Sequence, residues 1–140
     1  MTRVARFVLA SACAALPALA WAQSTSFDGA WNVTLVCPPH SGDDDAKGYT
    51  HRFRGEVTDG RMRAVHGAEG EPGWHLVTGT IGADGAATLR VDGIVNNEKY
   101  AINKAQRGKL YSYRVKARFD AKEGLGERLT GRSCTFRFER

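Results

Sequence analysis

The chain has 140 residues, with 20 Lys and Arg against 15 Asp and Glu for a formal net charge of +5. Hydrophobic residues make up 42% and charged residues 25%, with 16 Gly and 4 Pro. These values describe one ordinary globular domain and exclude a multidomain assembly, a disordered tail and a collagen-like repeat.

The chain opens on Arg3 and Arg6, followed by an apolar run from Phe7 to Leu19. Ala20-Trp21-Ala22 then places small residues at both recognition positions of a cleavage site. Residues 1–22 read as a secretory signal peptide cut before Gln23, with 23–140 as a single domain. Cys13 after Ala10-Ser11-Ala12 offers a lipoprotein alternative, at the cost of a very short apolar region. Cleavage leaves 118 residues with a net charge of +3, too mild to be a nucleic-acid signature. No later window is apolar enough to span a bilayer as a helix. The expected location is periplasmic or secreted. Cys37 and Cys134 are the cysteines left, and an even pair in an oxidising compartment reads as one disulfide.

Period-two alternation, and no sustained helical period, runs through the rest of the chain. The first strand is predicted over 27–37, with Trp31, Val33, Leu35 and Cys37 on one face. The second spans 48–58, with Tyr49, His51, Phe53, Gly55 and Val57 on one face and Arg52 and Arg54 on the other. Asp59-Gly60 is a two-residue hairpin signal that starts the third strand over 61–66. Further strands are predicted at 74–81 and 86–92, separated by Ala83-Asp84-Gly85, and a weaker one at 98–103. The strand at 110–119 is the clearest: Tyr111, Tyr113, Val115, Ala117 and Phe119 alternate with Ser112, Arg114, Lys116 and Arg118. Residues 120–132 have room for a short extra strand or a helical turn around Leu125 and Leu129. The last strand spans 133–140.

Eight short strands with short connections imply a meander closed into a barrel, or a β-sandwich. The cysteines choose the barrel. Cys37 ends the first strand and Cys134 begins the last, so a disulfide staples the seam where an up-and-down barrel closes. That pairing fixes a register in which Leu35 faces Phe136, Val33 faces Phe138 and Trp31 faces Arg140. The expected fold is all-β, an eight-stranded antiparallel up-and-down barrel with its first and last strands joined by a disulfide.

Asp28-Gly29-Ala30-Trp31 resembles the Gly-x-Trp opening of the calycin barrels, which include lipocalins, avidins and bacterial metalloprotease inhibitors. The resemblance implies that a late Arg packs across Trp31 and closes one end, a role for Arg140 or else Arg137. The chain also resembles an uncharacterised family of small exported bacterial β-barrel proteins. The stretches that carry this are 27–33, 48–53, 66–73, Tyr111-Ser112-Tyr113, Ala117-Arg118-Phe119 and Cys134-Thr135-Phe136. That likeness brings no catalytic residues with it.

No Gly-x-Ser-x-Gly, no His-Glu-x-x-His and no free mature cysteine is present, so the reading is of a protein that is not an enzyme and needs no cofactor. His40 with Asp43, Asp44 and Asp45 is metal-like, but consecutive carboxylates suit a solvated loop tip better than one ion. His66 and His75 flank the loop Gly67–Gly73, which contains Glu69 and Glu71. Pairing of the two flanking strands would bring them together at the loop base, where the plainer reading is a Gly-rich loop at the barrel mouth. Arg52, Arg54, Arg114, Lys116, Arg118 and Arg137 lie on outward faces, without the interleaved aromatics of a nucleic-acid platform. An eight-stranded barrel either fills with side chains or holds one small ligand. Tyr49, Trp74, Tyr111 and Tyr113 are the candidate ligand-binding residues, because a buried hydroxyl both needs a partner and orients a ligand. The functional expectation is an exported binding protein holding a small amphipathic molecule. The alternative is a periplasmic protein–protein module, a protease or lysozyme inhibitor that inserts Gln23-Ser24-Thr25-Ser26-Phe27 into its target.

Overall fold

The computed structural model describes residues 26–42 and 44–140, and the signal peptide expected over 1–22 lies outside the described residues. Eight antiparallel strands close into one barrel in chain order: β1 (Gly29–Cys37), β2 (Tyr49–Thr58), β3 (Arg61–His66), β4 (His75–Thr80), β5 (Ala86–Ile94), β6 (Leu110–Phe119), β7 (Glu123–Arg128) and β8 (Thr135–Glu139). Each wall residue alternates between the buried interior and the exposed outside, as the sequence period requires. The architecture is compatible with a calycin-like fold.

The seam closes as the cysteines require. Cys37 and Cys134 are bonded across 97 positions of sequence. Leu35 stands opposite Phe136 and Val33 opposite Phe138. At the far end of the seam the Arg140 guanidinium carbon lies 4.6 Å from the centre of the Trp31 ring. Arg140 also donates to the carbonyls of Ser26 and Asp28, so the cation is held over the indole by backbone acceptors.

This lower end is filled. Trp31 meets Phe119 edge to face at 5.5 Å, and its indole N–H donates to the Phe27 carbonyl at 2.8 Å. Phe136 and Phe138 are buried beside them. Asp28 bonds the backbone N–H groups of Asp59 and Gly60, both of which have positive φ. The turn between β2 and β3 is thus of the mirror-image kind that Asp-Gly favours, and a carboxylate from the chain's start caps it.

One predicted strand is absent and another takes its place. Residues 98–103 form two 3₁₀ turns, Glu98–Tyr100 and Ile102–Lys104, instead of a strand. The Asn97 side chain accepts from the Lys99 N–H, and Asn103 and Lys104 take positive φ, which interrupts any extended run. The wall leaves no gap there, because β5 pairs directly with β6 from Ala86↔Arg118 to Ile94↔Leu110. The eighth strand is β7, in the stretch 120–132, where the sequence left room for a short extra strand or a helical turn and the strand is what forms. Its inward residues are Gly124 and Gly126, so no apolar alternation marks it. A Cβ at Gly124 would fall 2.5 Å from the Phe119 ring, and one at Gly126 would fall 2.8 Å from Val115. The bare backbone of β7 makes room for large side chains on the neighbouring strand, while Leu125 faces out and is 58% exposed.

Candidate functional site

The upper end of the barrel is built differently from the lower. The upper ends of β2, β4, β6 and β7 carry inward Tyr49, His51, His75, Tyr111, Tyr113 and Arg128 in place of aliphatic filling. The segment between β5 and β6, residues 95–109, arches over them. Together they enclose a cavity of about 660 Å³ that opens at the mouth. The barrel is therefore packed at one end and hollow at the other, with the hollow half inside the range of small-ligand pockets.

Of the residues predicted to meet a ligand, Tyr49, Tyr111 and Tyr113 line this cavity. Trp74 is half-buried just before β4 and does not line it. The Tyr111 and Tyr113 rings lie parallel, 6.0 Å apart and inclined by 9°. Tyr111 reaches this position because Gly93 stands opposite it on β5: a Cβ there would collide with the Tyr111 ring and hydroxyl. Burial pushes the hydroxyls of all three tyrosines above the ordinary phenol value. They stay neutral at physiological pH, each able to donate and to accept one hydrogen bond.

Two arginines frame the mouth. Arg132 is 2% exposed. Its guanidinium donates to the carbonyls of Pro38, Ala46 and Lys47 from the β1–β2 loop and of Tyr100 from the 95–109 segment. Lys47 and Asn103 add cross-links, bonding Lys99 and Asp44 respectively. Arg132 is a staple between the two loops that shape the mouth. Arg128 is less buried. Its Nε donates to the Thr130 carbonyl, and its guanidinium carbon sits 4.0 Å above the centre of the Tyr113 ring.

Three histidines meet beside the cavity floor. β3 and β4 pair so that His66 faces His75, as the expected pairing of their strands implied. His51 joins them from β2. The rings of His66 and His75 stack at 4.8 Å, and Phe53 lies 4.8 Å from His75 edge to face. His66 Nδ1 lies 3.1 Å from the Gly73 carbonyl, and His66 Nε2 lies 2.8 Å from His51 Nδ1. A carbonyl only accepts, so His66 Nδ1 donates; in the neutral ring its Nε2 then accepts from the Nδ1–H of His51. Burial first, then the neighbouring imidazoles, pull His51 down to about 4 and His75 down to about 3. His75 Nε2 is the buried side-chain polar atom that finds no hydrogen-bond partner among the described residues. The Glu69 and Glu71 side chains of the intervening loop are exposed and do not join the cluster. Among the described residues no group of three His, Cys, Asp or Glu is arranged to hold a metal.

The other metal-like cluster resolves into a local pair. His40 bonds Asp44 at 2.8 Å, and Asp44 also accepts from the Asn103 N–H. Asp43 lies outside the described residues. The outward basic residues of β2, β6 and β8 are exposed, and Arg137 pairs with Glu123 and Glu139. No helix among the described residues is long and apolar enough to cross a membrane.

His51, Arg128 and Arg132 were not singled out in the sequence. His51 carried a signal: the Asp-Gly hairpin sets the β2–β3 register that brings its strand end to His66. Arg132 carried another, lying two residues before a cysteine tied to the mouth end of β1. Arg128 carried none, because its strand was not legible.

The fold and site thus define a closed eight-stranded barrel with a tyrosine-lined cavity at its upper end. Comparison with protein-family models, with curated proteins and with solved structures finds no match to this chain.

Proposed function

We propose that this chain is an exported, non-enzymatic binding protein that holds a small amphipathic molecule in the upper half of its barrel. The observation that carries the reading is the cavity of about 660 Å³ whose walls bear Tyr49, Tyr111 and Tyr113. Such a space takes a small organic molecule. Tyrosine offers it an apolar face and a hydroxyl at once. The packed lower end supplies rigidity, so the upper end need not be filled to keep the fold.

Export to the periplasm or beyond is part of the same proposal. It draws on the Arg3–Ala22 leader and on the Cys37–Cys134 bond, which suits an oxidising compartment. The likeness to small exported bacterial barrels and to calycins points the same way. The inhibitor alternative has less behind it. Of the segment 23–27 that such an inhibitor would insert, residues 23–25 lie outside the described residues, and Phe27 is 6% exposed and packs towards Phe119 in the closed end of the barrel.

Native mass spectrometry of protein purified gently from its own host tests the reading. The expected species is the chain from Gln23, less two hydrogens, carrying roughly a few hundred additional daltons that leave on denaturation. A bare mass that also gains nothing from a crude small-molecule extract would overturn it.

A further inference from the structure

The charges around the cavity are one-sided. Lys109, Arg128 and Arg132 line it, and among the described residues no Asp or Glu does. On the outer wall the balance is different: Arg90 is paired with Asp92, and Arg137 with Glu123 and Glu139. None of the three cavity cations has a carboxylate partner among the described residues. Arg132 spends its donors on loop carbonyls, which hold the group but do not cancel its charge. Arg128 is the free hand. Its Nε is fixed by the Thr130 carbonyl and its plane is supported by Tyr113, which leaves the two Nη groups as a preset fork.

We infer that the ligand is an organic anion, an inference that rests on the cavity reading above. Its carboxylate, sulfonate or phosphate pairs with the Nη groups of Arg128. Its flat or unsaturated body lies along the stacked rings of Tyr111 and Tyr113, with the apolar side chains of Ile94 and Ile102 around it. Two oxygens of a carboxylate, sulfonate or phosphate match the guanidinium fork with two parallel hydrogen bonds. In a half-closed cavity each is worth more than in open water. His51 and His75 are uncharged at neutral pH, so the attraction comes from the guanidinium and ammonium groups and persists well above pH 7.

Two fluorescent probes with one ring system separate the two readings: anilinonaphthalenesulfonate, and N-phenylnaphthylamine, which lacks the sulfonate. The full mature chain is expected to bind one sulfonate probe about tenfold or more tightly than the neutral one, the scale of a charge-assisted hydrogen bond. Arg128→Gln should erase that advantage, weakening the sulfonate probe about tenfold more than the neutral one. Arg128→Lys should keep part of it. Arg118→Gln on the outer wall should alter neither, since Arg118 is exposed on β6. Equal affinities in the parent chain, or an advantage that survives Arg128→Gln, would overturn the anion inference while leaving the cavity reading intact. Loss of both probes in a folded Arg128→Gln chain would make Arg128 a shaping residue and overturn it too. Failure of both probes to bind the parent chain at one per molecule would overturn the cavity reading itself.

Discussion

The ring of Tyr111 lies across the backbone of Gly93, its partner on the neighbouring strand, at a distance that leaves no room for a Cβ. Gly93 has ordinary extended backbone, so its lack of a side chain serves space and not conformation. Gly93→Ala should therefore drive the Tyr111 ring off the wall and into the cavity. The expected cost is about 1–3 kcal/mol of stability, the usual range for overpacking. Tyr111→Ala in the same chain should recover most of it, since the clash needs both partners. Urea denaturation of the two single variants and the double variant measures this. A Gly93→Ala chain as stable as the parent would mean that Tyr111 is not held in this place.

The same kind of glycine explains where the sequence could be read and where it could not. The seam was legible because two cysteines at opposite ends of the chain fix one register, and Leu35↔Phe136 and Val33↔Phe138 follow from it. The clearest strand, β6, shows its inward face as Tyr, Val, Ala and Phe. The strand β7 inverts that pattern: Gly124 and Gly126 point in and Leu125 points out, because their neighbours Phe119 and Val115 already fill the interior. Hydrophobic period alone cannot signal a strand whose buried face is empty. With β7 unmarked, Arg128 at its end was hidden too, and Arg128 is one of the three cations that line the cavity. The false strand at 98–103 failed for a complementary reason, since its side-chain alternation was present but its backbone was claimed by an Asn cap and two left-handed residues.

The Cys37–Cys134 bond closes a loop of 97 positions and sits at the mouth end of the seam. For a loop near that length the chain-entropy model assigns about 4–5 kcal/mol, and measured losses run from about 2 to 5. Cys37→Ser with Cys134→Ser should lower the unfolding free energy by an amount in that range. Reduction of the parent chain should lower it similarly. The loss should appear as a lower denaturation midpoint together with a steeper slope, because the unfolded chain without its 97-position cross-link is less compact and exposes more surface. A double variant within about 1 kcal/mol of the parent would show that β1 and β8 hold each other without the bond.

Arg132 bonds backbone carbonyls from two separate loops and is almost wholly buried. Replacing it with Met keeps the aliphatic stem and leaves those carbonyls without donors. A loss of about 2–4 kcal/mol is expected, since hydrogen bonds to charged groups carry about 1.5–3 kcal/mol each and water replaces part of them. Lys should not restore it, because an ammonium cannot span carbonyls of Pro38, Lys47 and Tyr100 from one position. Hydrogen exchange supplies the local readout. The Lys47 and Asn103 amides, which link the two mouth loops, should exchange faster in Arg132→Met than the amides of β1. Uniform acceleration across the barrel would mean that Arg132 supports the whole fold and not the mouth.

His75 is buried among Phe53, His51 and His66 with Nε2 unpartnered, an arrangement that costs stability and gains none from its own barrel. Two consequences follow. First, His75→Phe should be neutral or stabilising at pH 7.5, by up to about 1–2 kcal/mol, because it removes a desolvated polar atom from an aromatic setting. Second, His75 gives stability a pH dependence of fixed sign. Folded, it takes up a proton only near pH 3, held down by burial and then by the facing imidazoles of His66 and His51. Unfolded, it takes one up near pH 6.5. Between those values the unfolded chain binds more protons, so stability falls as pH falls, by at most about 1.4 kcal/mol per pH unit for this residue. His51 adds to the fall in the same direction, with its lower limit near pH 4. Urea midpoints measured from pH 7.5 to pH 5 should therefore drop in the parent chain and drop less steeply in His75→Phe. The interval above pH 5 keeps clear of most carboxylate titration, so the difference between the two slopes isolates the histidine. Parallel slopes would mean that His75 charges freely in the folded barrel and is not enclosed as described. A shallower slope with a stabilised chain would instead mark His75 as a residue retained against the interests of stability, in the wall of the cavity where a ligand would meet it.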